Sequence, residues 1–200
     1  MIDTQLVMHG LAVKKLGSAA SVAAILGVEE ADVAPVLDAL VAEKKAVNAR
    51  GNFMLTPPAQ AELKESYAGT FAALRENSDL TGAYDRFEVV NREVKQLVTD
   101  WQTMTVAGEQ VPNDHSDADY DAKCVDRLGE LHERAEPIVS AFAAVVSRFG
   151  AYGKRLEAAL DKLEAGEQSF FSGAKVDSYH TVWFELHEDL LRLLGRTRDE

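Results

Sequence analysis

The first 58 residues carry a set of helix and turn signals that fixes an order of elements. Ser18 stands where a helix N-cap is needed, and Gly27 where a helix stops in the left-handed region. Arg50-Gly51-Asn52 interrupts two short apolar runs as a hairpin tip does, and Pro57 and Pro58 sit at the mouth of a further helix. Between these marks, "TQLVMHGLAVKKLG", "SAASVAAILG" and "EEADVAPVLDALVAEKKA" read as three short helices, and "VNARGNFMLT" as the hairpin. Helix, helix, helix, hairpin is the order of a winged helix-turn-helix. The expected fold class is therefore mainly α, with a winged helix-turn-helix over residues 1–65 and an all-α helical bundle over residues 66–200.

Charge limits what such a module can touch. The chain has 21 basic and 33 acidic residues, a formal charge of -12, which repels a phosphate backbone unless cations gather on one face. Residues 1–65 hold six basic and eight acidic side chains, so most of the excess lies in the remainder. No charged and apolar leader stands at Met1, and no apolar run approaches the ~20 residues that span a bilayer, so a cytoplasmic location is expected. Cys124 is the only cysteine; a thiolate metal cage and an internal disulfide are excluded, and a small buried hydrophobe is expected.

The phrases "SVAAILGVEEADVAPVLDALVAEKKAV" and "FMLTPPAQAEL" resemble the winged helix-turn-helix of bacterial regulators of the MarR group, over about residues 4–75. In that family the second helix of the motif lies in the major groove, which implies a duplex-binding function. Here the facing positions are Glu29, Glu30, Asp32, Pro35 and Asp38; Lys44, Lys45 and Arg50 remain as the basic candidates for nucleic acid. A second resemblance covers roughly Arg86 to Glu200. "LVTDWQ", "NDHSD" and "SYHTVWFELHEDLL" look like a bacterial helical family that accompanies phosphoenolpyruvate-utilising phosphotransferases of the dikinase type, which implies an accessory or substrate-holding module. "SYHT" lacks the glycine-rich and alanine-rich surroundings of a phosphohistidine domain, so no phosphoryl-accepting role falls on His180.

Periodicity divides the body into five helices. "RFEVVNREVKQLVTDWQTM" places Phe87, Val90, Val94, Leu97, Val98, Trp101 and Met104 on one stripe, with Arg92, Lys95 and Thr99 opposite. "VAGEQVPNDHSDADYDAK" reads as a polar loop entering a helix at Ser116, with Asp119 at capping-box spacing, and Pro137 as a kink or break in the long helix that follows. On the last helix, His180, His187, Trp183, Phe184, Leu190, Leu191 and Leu194 share one side. Thr181, Glu185, Glu188, Asp189 and Arg192 fall on the other. Val182, Leu186 and Leu193 widen the apolar arc to roughly 200°, which makes this a central helix.

Two inward imidazoles need partners for their nitrogens. A hydrogen-bond network to Asp100, Asn91, Gln102 or backbone carbonyls supplies them. So does a pocket for an aromatic or acyl ligand lined by His180, His187, Trp183, Trp101, Tyr179 and Phe184. Metal is disfavoured: the histidines are seven residues apart, ~10 Å along the axis, and neither the His pair at i, i+4 nor Glu-x-x-His occurs. "DADYDA" fails as a calcium loop because Ala122 and Leu128 replace its glycine and glutamate. No Walker loop, nucleophile elbow or dinucleotide fingerprint is present, so no catalytic residue and no cofactor is assigned.

Two functions compete. Domain order makes a ligand-responsive, homodimeric transcriptional regulator the expected function, an arrangement also found in regulators of the GntR type. The acidic motif helix favours the alternative, an accessory subunit that binds protein rather than DNA. An enzyme using His180 or His187 as general base rests on residue type alone.

Overall fold

In the computed structural model, which describes residues 2–106 and 108–197, the three N-terminal helices are α1 (Thr4–Lys14), α2 (Ala19–Leu26) and α3 (Glu30–Ala42). Local chemistry sets their ends. Asp3 and Ser18 accept hydrogen bonds from the backbone N–H of Leu6 and Ser21, and Gly27 ends α2 at φ 68°. Strands β1 (Ala46–Ala49) and β2 (Asn52–Leu55) pair antiparallel from Ala46↔Leu55 to Ala49↔Asn52. Their two-residue turn puts Arg50 at φ 56° and Gly51 at φ 84°, both left-handed as a type I′ turn requires. Gly17 bridges Phe53 and ties the turn after α1 to the hairpin. Three helices plus a small hairpin stand as the residue signals indicate.

The exit helix α4 (Pro57–Thr70) runs across the 65/66 boundary, and the single-turn α5 (Ala72–Arg75) follows it. The body consists of α6 (Ser78–Gln102), α7 (Ala118–Val145), α8 (Phe149–Glu164), the single-turn α9 (Ser169–Ser172) and α10 (Tyr179–Leu194). α6 lies along α7, and α7 along α8. The predicted stripe from Phe87 to Trp101 is buried, with Arg92, Lys95 and Thr99 exposed.

Three details differ from the sequence reading. A second hairpin, β3 (Thr103–Val106) with β4 (Glu109–Pro112), replaces most of the expected loop and takes Met104 out of the helix. Asp117, not Ser116, caps α7 by accepting from the Tyr120 N–H at 3.0 Å. α7 continues through Pro137 without a break.

α10 is central: it packs on α6, α8 and α9 and also on α1 and α4. An aromatic chain supports it. Ring centroids run from Tyr179 to Trp183 (6.1 Å), Phe87 (4.9 Å), Phe142 (6.0 Å), Phe149 (5.7 Å) and Tyr152 (5.9 Å), and all six rings are buried. Phe87 sits in the middle and touches α7 and α10 at once. Phe87→Ala is expected to lower unfolding free energy by about 3–5 kcal/mol in urea denaturation, because the cavity lies where three helices meet.

Candidate functional site

The six predicted pocket residues do not converge. Tyr179 and Trp183 stack in the aromatic chain, and the Trp183 Nε1–H donates to Asn91 Oδ1 at 2.9 Å. His187 is buried; its Nε2 lies 2.9 Å from Glu88 Oε1 and 3.3 Å from the Tyr84 hydroxyl, with the Phe87 ring at 5.2 Å. Asn91 also reaches Glu88, at 3.4 Å, so Trp183 and His187 share one polar network. Tyr84 and Glu88 are members that the sequence reading did not name. Trp101 stacks elsewhere, on Phe171 at 4.2 Å, beside His115. Phe184 is half-buried beneath the Lys15 ammonium at 5.0 Å, and His180 is half-buried near the start of α10.

The largest departure concerns the polar side of α10. Glu185 and Asp189, on the side opposite His187 and Trp183, are buried, because α1 and α8 cover that side. A buried carboxylate must be matched by cations and donors. Asp189 Oδ1 accepts from His9 Nε2 at 2.8 Å and Arg148 NH2 at 2.6 Å; Oδ2 accepts from Arg148 Nε at 3.1 Å and the Tyr152 hydroxyl at 3.1 Å. One turn away, Glu185 accepts from Lys14 Nζ at 2.6 Å and Arg155 NH2 at 2.7 Å. Arg155 Nε bridges on to Asp177 at 3.0 Å. The donors come from α1 and from the start of α8, so the two carboxylates tie the N-terminal helices to the body.

His9 extends this junction outward. Its Nε2 carries a proton for Asp189, since a carboxylate only accepts, and its Nδ1 lies 2.8 Å from the Tyr67 hydroxyl of α4. Tyr67 in turn lines two clefts, a small one of about 240 Å³ with Leu6, His9 and Phe71, and a larger one toward the end of α10. Burial alone pushes the Asp189 carboxyl up, but the Arg148 charge, then that of His9, outweighs it and holds the group well below the usual carboxylate range. Burial pushes the Tyr67 phenol up to about 12, against the opposing charge of Arg192. Burial likewise pushes Tyr152 well up, with the Asp189 charge adding to it.

Sequence signals for this junction existed. His9 interrupts "LVMHGLAV", a helix segment buried on every side from Val7 to Val13, and a 200° apolar arc on α10 leaves little room for a solvated face. What the sequence did not reveal was the pairing, since the partners Arg148 and Asp189 stand 41 positions apart and His9 and Asp189 stand 180 apart.

Lys44 and Arg50 are exposed, both at positive φ, while Lys45 is held by Glu62 at 2.9 Å. Among the described residues no group of three His, Cys, Asp or Glu side chains is arranged to hold a metal ion, and no helix is long and apolar enough to cross a membrane. Cys124 is buried, and burial pushes its thiol up. Comparison with known proteins adds no assignment: no family model, no curated protein and no solved structure matches the chain.

Asp189→Asn is expected to destabilise the fold by about 3–5 kcal/mol in denaturant titration, because Arg148 is left buried without its counter-charge; replacing both by Leu and Met recovers most of that loss. The carboxyl's folded-state pKa is depressed, so its stabilisation is present above pH ~4 and fades as pH falls below it; the acid limb of the stability profile is expected to flatten in Asp189→Asn. Tyr67 is shifted the other way, so its contribution holds below pH 10 and is lost between about 10 and 12. Tyr67→Phe removes that part of the alkaline loss.

Proposed function

We propose that this chain is a cytoplasmic accessory protein whose winged helix docks on another protein, with the helical body as its rigid mount. The observation that carries this reading is the exposed face of α3. Glu30, Ala31, Asp32, Pro35, Asp38 and Ala39 are exposed there, Glu29 precedes them, and the helix contains no basic residue. Carboxylates at the N-terminal turn also offset the positive end of the helix dipole, which would otherwise favour a phosphate.

The hairpin supports the same reading. Val47 and Met54 face each other across the strands and are 45% and 44% exposed, and Leu16, next to the Gly17 that bridges Phe53, is 53% exposed. Exposed apolar side chains beside an acidic, small-residue helix suit a protein contact better than a phosphate backbone. Lys44 and Arg50 fall short of the roughly six to ten phosphate contacts of a salt-dependent duplex complex. The resemblance of the body to helical companions of dikinase-type phosphotransferases makes such an enzyme the first partner class to try.

The regulator reading keeps one observation in its favour, the order of three helices and a hairpin followed by a helical body; it requires a homodimer presenting two such modules to one duplex. Fluorescence anisotropy with a labelled duplex from the upstream region of the gene separates the two. The accessory reading expects no saturable binding at low salt. Tight binding that weakens steeply with salt, and is lost on Lys44→Glu with Arg50→Glu, would establish the regulator instead.

A further inference from the structure

A cleft of about 420 Å³ opens between α4 and the C-terminal end of α10. Its walls include Lys64 and Tyr67 of α4, Arg75 of α5, Glu188 and Arg192 of α10, and Arg196 just beyond that helix. Four cations and one carboxylate thus line one cleft of a chain whose formal charge is -12. From these side chains we infer that the cleft is a binding site for a small molecule carrying a dianionic oxyanion group, such as a phosphate.

The cations differ in how far they are already neutralised. Arg192 Nε is bonded to Glu188 at 2.8 Å, and Arg196 lies 3.5 Å from the exposed carboxylate of Asp85 while stacking on Tyr84. Lys64 and Arg75 have no carboxylate within ion-pair distance among the described residues. Arg75 is nevertheless fixed. Its Nε donates to the Leu193 carbonyl at 3.0 Å, which satisfies an open acceptor at the end of α10, and its two terminal nitrogens have no hydrogen-bond partner in the described protein. The guanidinium is seated on Gly195, where an added Cβ would stand 2.8 Å from Arg75 Cζ; that residue also ends α10 at φ 67°. Glycine at 195 therefore serves the turn and leaves room for the guanidinium.

A guanidinium held at Nε with both terminal nitrogens left over is preorganised for a bidentate oxyanion, and the Lys64 ammonium in the same cleft adds a point charge. The volume admits such a group with a small organic remainder. Tyr67 forms part of the wall, and its hydroxyl meets His9 at the junction, so an occupied cleft bears directly on the contact between α4 and α1. This inference stands apart from the choice of partner for the winged helix.

Isothermal titration of the full chain at low salt with inorganic pyrophosphate, and in parallel with citrate, tests it. Saturable one-to-one binding of pyrophosphate with a dissociation constant below about 1 mM, weakening with salt, is expected. Lys64→Gln and Arg75→Gln are each expected to weaken it about tenfold or more, whereas Lys44→Gln on the hairpin side leaves it unchanged. Lys64 is exposed, so its replacement keeps the fold even if Arg75→Gln disturbs the end of α10. Stronger binding of citrate than of pyrophosphate would overturn the inference, because each carboxylate of citrate carries a single charge and is no dianionic group. No saturable binding of either anion, or binding indifferent to Lys64→Gln and Arg75→Gln together, would overturn the inference.

Discussion

The carboxylate of Asp189 is wholly removed from water, and the rest of the architecture is arranged around that fact. An ion so placed is tolerated only when cations and donors reach it with good geometry. Here they arrive from two directions, Arg148 at the N-cap of α8 with Tyr152 inside it, and His9 from α1, so the charge is satisfied only when all three helices are correctly seated. Glu185, with Lys14 and Arg155, repeats the arrangement one turn earlier on α10. Apolar residues of matching shape would hold these helices together as well or better. What the ionic pair adds is register: a slip of α1 or a rotation of α10 strands a buried charge.

The aromatic chain does complementary work. It begins at Tyr179 near the start of α10, crosses α6 and α7, and returns through Phe149 to Tyr152, whose hydroxyl ends on Asp189. Packing along the chain therefore positions a donor for the ion at its end. The indole of Trp183 and the imidazole of His187 are absorbed by this packing and by the network of Asn91, Glu88 and Tyr84, while one open cleft lies at the far end of the helix, beside Arg75 and Arg192.

Much of the fold was legible in local signals. Ser18, Gly27 and the Arg50-Gly51 turn act through nearest-neighbour backbone geometry, which a single sequence displays. The stripe from Phe87 to Trp101 was visible because one face of α6 is covered and the other wet. β3 and β4 were not, since each is only four residues long and half polar, and their pairing rests on the backbone. The site was harder to read for a different reason. On a helical wheel Glu185 and Asp189 fall on the polar side of α10, and only the approach of α1 and α8 makes that face an interior one. The residues that matter most to the junction, His9 and Arg148, carry no motif because their meaning depends on a partner far away in the chain.

If the two carboxylates hold the N-terminal helices and the body in one cooperative unit, unfolding must show it. Both tryptophans lie in the body, so their fluorescence can be compared with amide signals from α2 and α3 along one urea titration. The two transitions are expected to coincide in the natural chain and to separate in the double variant Glu185→Gln, Asp189→Asn, with the N-terminal helices melting first. Separate transitions in the natural chain, or coincident ones in the variant, would contradict the account.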